Sequence, residues 1–135
     1  IWLLGSSHST LGWPFCGEID IMEQRGQLND KSYVLGTVHW NHGSEYNPAS
    51  YSLNSQNIEN LSTEWHLFTM DWTEDRIKIG VDNNYYYQIN TNDSMPFFDP
   101  FFFIVNVAIG GTLGGNIDPN FSQDTMEIDY IRVYQ

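Results

Sequence analysis

Residues 16–26 read CGEIDIMEQRG, with carboxylates at Glu18, Asp20 and Glu23 set among Ile19, Ile21 and Met22. Alternate side chains of a β-strand share a face, so Glu18 and Asp20 point one way. Glu23 is out of phase with both and would fall beside Ile19 and Ile21. An unpaired charge among isoleucines is costly, because neither water nor a counter-ion stabilises it there. One extra residue at Ile21–Met22, a β-bulge, restores the phase and returns Glu23 to the face of its two neighbours. The stretch therefore predicts a bulged strand with three carboxylates in a row and Asp20 in the middle. A solvated edge-strand face is the plainer alternative. Such faces mix bases with their acids, and this one has no base to offset the repulsion.

Strand-like segments dominate the rest of the chain. They are read at Ile1–Leu4, Gly17–Glu23, Tyr33–Trp40, His66–Thr73, Arg76–Val81, Tyr85–Ile89, Phe101–Ile109 and Met126–Tyr134. The runs EDRIKIGVD and NNYYYQIN face each other across Asp82–Asn84 and predict a hairpin. No helix is predicted, only a short turn near Phe97–Pro100. Many short strands without helical patterns indicate an all-β, antiparallel sandwich. The chain has 135 residues and no linker-like break, so residues 1–135 read as one domain. Sandwiches of this kind run to roughly 200–250 residues, so either a small complete jelly roll or part of a larger sandwich fits.

Seventeen acidic against five basic residues give a formal net charge of −12. That field repels polyanions, which argues against nucleic acid and anionic membrane surfaces as partners and leaves neutral ligands unpenalised. No apolar run approaches the length of a membrane span. Aromatic residues make up 16% of the chain; they fill β-cores, and they also stack on the apolar faces of sugar rings. Cys16 is the only cysteine, so no disulfide forms within the chain. The opening IWLLGSSHS has no basic n-region and reads as no signal peptide.

A row of carboxylates suits glycoside hydrolysis with retention, which needs two carboxyl groups about 5–5.5 Å apart, one nucleophile and one acid/base. A third between them raises the proton affinity of both by like-charge repulsion.

The stretch GWPFCGEIDIME resembles the signature of glycoside hydrolase family 16, whose bulged branch carries E-x-D-x-x-E in its active-site strand. The resemblance continues through GTVHW, WHLFTMDWTEDRIKIGVD, FFFIVNVAIGGTLGGN and MEIDYIRVYQ. Trp-Pro ahead of the acidic strand is most similar to the laminarinases of that family. The resemblance implies a concanavalin A-like β-jelly-roll sandwich with a cleft on its concave sheet. It also implies a domain with further strands ahead of Ile1, so that this chain is its C-terminal part. In those terms Glu18 is the nucleophile, Glu23 the general acid/base, Asp20 the group tuning their protonation, and Trp13 a sugar-stacking platform. The implied activity is endo-acting, retaining hydrolysis of β-1,3-glucan of the laminarin type or of mixed-linkage β-glucan. An agarase-like galactan hydrolase and a non-catalytic β-glucan-binding module are the rival readings. The implied partner is a neutral β-glucan and the implied location secreted or cell-surface; the protein is expected to be a monomer. Catalysis in the family needs no cofactor. Asp129 matches a position where relatives ligate a structural calcium, although the companion ligands near the domain's start are not in this chain.

Other positions carry two readings each. His39 is either a cleft-facing donor or a satisfied strand histidine, and with His42 it makes only a weak metal signal. Asn106 stands as the polar residue of FFFIVNVAIGG, on the cleft wall or as a buried amide needing partners. Met126 borders the cleft or packs in the core. Trp65, Trp72 and Tyr85–Tyr87 are read as core or convex-sheet residues, and Trp2 fits either place.

Overall fold

The computed structural model of the protein describes residues 1–25, 32–41 and 50–135, with the backbone alone at 50–54. The strands are β1 (Trp2–Gly5), β2 (Glu18–Gln24), β3 (Tyr33–Trp40), β4 (Ser50–Asn57), β5 (Phe68–Trp72), β6 (Arg76–Val81), β7 (Asn84–Asn90) and β8 (Phe101–Ile104). Two single helical turns, α1 (His8–Leu11) and α2 (Gly111–Gly114), complete the elements. Among the described residues there are two sheets, one ordered β4-β3-β2-β1-β8 and the other β5-β6-β7. Every strand pairing in both is antiparallel.

The core lies between the sheets because strand alternation aims one apolar row from each toward the other. Leu3, Ile19, Ile21, Val38 and Trp40 of the larger sheet pack against Ile77, Ile79 and Tyr87 of the smaller, with Phe97 closing the cluster. A second, smaller cluster joins Val34, Ile58 and Val81. In β3 the residues between Val34 and Val38 on the core side reduce to Gly36, while Leu35, Thr37 and His39 take the opposite face.

The predicted bulge is present. Asp20 pairs with Thr37 and Glu23 with Leu35, so three steps along β2 match two along β3. The backbone N–H groups of Ile21 and Met22 both donate to the carbonyl of Ile1, at 2.9 and 3.0 Å. The predicted hairpin is also present, as a two-residue turn at Asp82 and Asn83 with φ of 48° and 67°. These are the left-handed conformations that match the twist of a hairpin.

Three expectations are corrected. Ser50–Asn57 was not expected as a strand, since its serines and asparagines carry little β-propensity; pairing along the whole of β3 makes it one. The strand expected over Phe101–Ile109 ends at Ile104, the residue paired with Trp2 of β1. The strand expected over Met126–Tyr134 is irregular and exposed, with Tyr134 at 82%. No described strand lies beside it to accept its backbone hydrogen bonds. The turn expected near Phe97–Pro100 is found, and the two helical turns are additions. Trp65, read as a core or convex-sheet residue, is 67% exposed and so is not in the core.

One close approach fixes the entry into β2. The Gly5 N–H donates to the Gly17 carbonyl at 3.0 Å, and a Cβ on Gly5 would stand 1.8 Å from the Cys16 carbonyl oxygen. Backbone on backbone cannot yield by a rotamer change. Gly5→Ala is therefore expected to cost about 3 kcal/mol or more, the upper end of overpacking effects. A denaturation midpoint equal to that of the parent protein would contradict this account of the β1–β2 junction.

Candidate active site

The three carboxylates lie on the face of the larger sheet that points away from the core, next to residues of β3 that the ladder places opposite them. Glu18 faces His39, Asp20 faces Thr37, and Glu23 faces Leu35. From β1, Leu4 pairs with Glu18 and Trp2 with Asp20.

Within this arrangement His39 Nε2 stands 3.3 Å from Asp20 Oδ2 and 3.7 Å from Glu18 Oε1. Thr37 Oγ1 donates to Glu23 Oε2 at 3.4 Å. The Trp13 indole leans over the imidazole of His39, with ring centroids 5.8 Å apart and planes at 52°. Trp13 itself is 46% exposed, leaving much of its ring open. Asp20 is buried, at 3% exposure, between its half-buried glutamate neighbours.

Electrostatics follow from this crowding. Burial, then the charge of Asp20, pushes the Glu18 carboxyl up to about 7, against smaller opposing effects of His39 and a Trp13 hydrogen bond. Glu23 is raised for the same two reasons, and His39 and the Thr37 hydroxyl oppose the rise. Burial alone would lower His39, but its hydrogen bond to Asp20 and the charges of all three carboxylates outweigh that and hold it above the ordinary histidine value. Groups this close titrate together, and both glutamates keep their protons to higher pH than an isolated carboxyl does.

The sequence-predicted residues are thus partly gathered. Glu18, Asp20, Glu23, His39 and Trp13 stand together. Asn106 is exposed and accepts a hydrogen bond from Trp2 Nε1 at 2.8 Å, which ties it to the residue facing Asp20. Met126 lies in the irregular C-terminal segment, and no strand pairing carries it to the row. His42 lies outside the described residues. Thr37 and Trp2 are functional neighbours that the sequence reading did not assign. The phase of Thr37 with His39 signals its face, whereas the place of Trp2 depends on β1 pairing with β2.

Among the described residues, Glu18, Asp20 and His39 are the one group of three potential metal ligands, with donor atoms within 4.8 Å of one another. Asp129 belongs to no such group and sits on the exposed C-terminal segment.

The sequence pattern described as Glycosyl hydrolases family 16 matches residues 1–132, and the chain belongs to that family. It is 32% identical, over 100% of its length and 21% of the relative's, to the glucan endo-1,3-beta-glucosidase A1 of Niallia circulans. The laminarinase of Flavobacterium sp. UMI-01 superposes with a TM-score of 0.72 at 38% identity, over 87% of this chain and 51% of that one. A LamA protein of Zobellia galactanivorans, solved with laminaritriose and laminaritetraose, gives 0.79 at 30% identity over 89% and 52%. The chain thus spans about half the length of these solved structures and about a fifth of the Niallia protein. The fold is the antiparallel β-jelly-roll sandwich expected from the sequence.

Raised carboxyls have a consequence for stability. A folded-state value of about 7 for Glu18 lies above its ordinary 4.5. The folded protein then binds that proton more tightly than the unfolded chain, and stability falls as pH rises between those two values. Glu18→Gln removes the charge that creates this cost. It is expected to raise the unfolding free energy at pH 8 by on the order of 2–3 kcal/mol while changing it little at pH 4. Equal effects at the two pH values, measured by denaturant titration, would contradict the burial of this carboxyl.

Proposed function

We propose that the protein is an endo-acting, retaining glycoside hydrolase that cleaves β-1,3-glucan of the laminarin type, or mixed-linkage β-glucan. The observation that carries this reading is the bulge, which sets Glu23 on the same face as Glu18 and Asp20 beside an exposed tryptophan. Family membership and the resemblance to laminarinases support the substrate class.

In this reading the Glu18 carboxylate attacks the anomeric carbon while Glu23 gives its proton to the departing glycosidic oxygen. Glu23 then takes a proton from water, whose oxygen displaces Glu18 from the glycosyl-enzyme. Thr37 holds the Glu23 carboxyl, and Asp20 with His39 sets how readily the row gains or loses its proton. Trp13, open on one side, offers a stacking face for a pyranose ring next to the row. Trp2 and Asn106, joined by their hydrogen bond, border the same face.

The electrostatics of the free row run against one part of this assignment. Glu18 is raised to about 7, which on its own suits an acid better than a nucleophile. The position of Glu18 in the family's signature favours the nucleophile role, which requires Glu18 ionised and Glu23 protonated once the sugar is bound.

A neutral glucan meets no repulsion from the chain's charge of −12. Polysaccharides do not cross membranes unaided, so the proposal puts the enzyme outside the cell or on its surface. It is taken to act as a monomer, since one strand supplies all three carboxylates and no second copy is needed to assemble them. Reducing-end assays on laminarin, lichenan and agarose test the substrate class. The full-length protein is expected to release product from the first two, and Glu18→Gln and Glu23→Gln each to lose about 10²–10⁴ of that activity. Cleavage of agarose alone, or binding of laminarin without product, would overturn the reading.

A further inference from the structure

The bulge in β2 does not stand alone. In the second sheet the register also slips by one residue: Ile79 pairs with Tyr87 and Gly80 with Tyr85, so Tyr86 is the extra residue of β7. An extra residue re-aims its own side chain. Tyr86 points across the core, packs against both hydrophobic clusters, and donates from its hydroxyl to the carbonyl of Ile21 at 3.2 Å. Ile21 is one of the two residues that form the bulge in β2. The space for this ring comes from β3, where Gly36 has no side chain. A Cβ there would stand 3.2 Å from the Tyr86 hydroxyl oxygen and 3.3 Å from its ring edge.

The ladder shows why this contact matters for the chemistry. Glu18 and Asp20 are held from both sides, by Leu4 and Trp2 of β1 and by His39 and Thr37 of β3. Glu23 follows the bulge and pairs with Leu35 of β3 only after the register has slipped by one residue. Its place relative to Glu18 therefore depends on how firmly the bulge is held. We infer that Tyr86, seated against Gly36, is a positioning residue that fixes the Ile21–Met22 bulge from the core side and thereby sets the reach of Glu23. This rests on the proposed role of Glu23 as the proton donor.

The test separates positioning from plain stability by choice of leaving group. A 2,4-dinitrophenyl β-laminaribioside needs no proton to depart, so kcat/KM on it reports nucleophilic attack without the acid. Laminarin needs the acid. Tyr86→Phe keeps the ring and removes the hydroxyl. In the full-length enzyme it is expected to lower kcat/KM on laminarin about tenfold, within the range that small misplacements cost, and to leave the aryl glycoside within about twofold. Equal losses on both substrates, or no loss on laminarin, would overturn the inference. If Tyr86→Phe does not fold, Gly36→Ala presses on the same ring from β3 and must show the same selective loss; equal losses there overturn it too. Glu23→Gln is the control for the underlying reading. A selective loss in that variant supports the donor role, whereas loss on both substrates defeats the donor role and the inference with it.

Discussion

Everything at this site depends on one extra residue in one strand. A regular β2 would send Glu23 into the packed space between the sheets, where Ile19 and Ile21 already lie. The bulge removes that cost and does something a regular strand cannot. It keeps three carboxylates on one face, with the third one residue later than strand period would place it. Glu18 and Asp20 lie before the register slip against β3 and Glu23 after it. The two glutamates therefore sit on opposite sides of the bulge, which suits a pair in which one attacks and the other transfers protons.

The same crowding makes the site expensive. Three half-buried or buried acids share one patch, and His39 is the nearest base. Burial and mutual repulsion raise Glu18 and Glu23, and the protein gives up stability at neutral pH to keep them there. Charges that strain a fold yet stay clustered on one face are the mark of a functional site. The acidic bias of the remaining chain does not explain them, because solvated acids are not pushed up in this way.

Much of this was legible in the residues. The phase conflict between Asp20 and Glu23 located the bulge, alternation in β3 and β6 gave the antiparallel sandwich, and the Asp82-Asn83 turn showed itself by residue type. What escaped the reading depends on partners rather than on local pattern. β4 is a strand because β3 lies beside it, despite its serines and asparagines. β8 is shorter than its apolar run, ending at the residue paired with Trp2. Met126–Tyr134 alternates as a strand does, but no described strand pairs with it. The inward aim of Tyr86 comes from a second bulge that nothing in NNYYYQIN announces.

The central claim, that Glu18 attacks sugar while Glu23 serves it from across the bulge, is tested most directly by trapping the covalent intermediate. A 2-deoxy-2-fluoro laminaribiosyl fluoride slows breakdown of the glycosyl-enzyme, and peptide mass spectrometry of the trapped full-length protein locates the sugar. The account predicts a single label on Glu18, lost on Glu18→Gln and retained on Glu23→Gln. A label on Glu23, or inactivation with no covalent sugar, would contradict it.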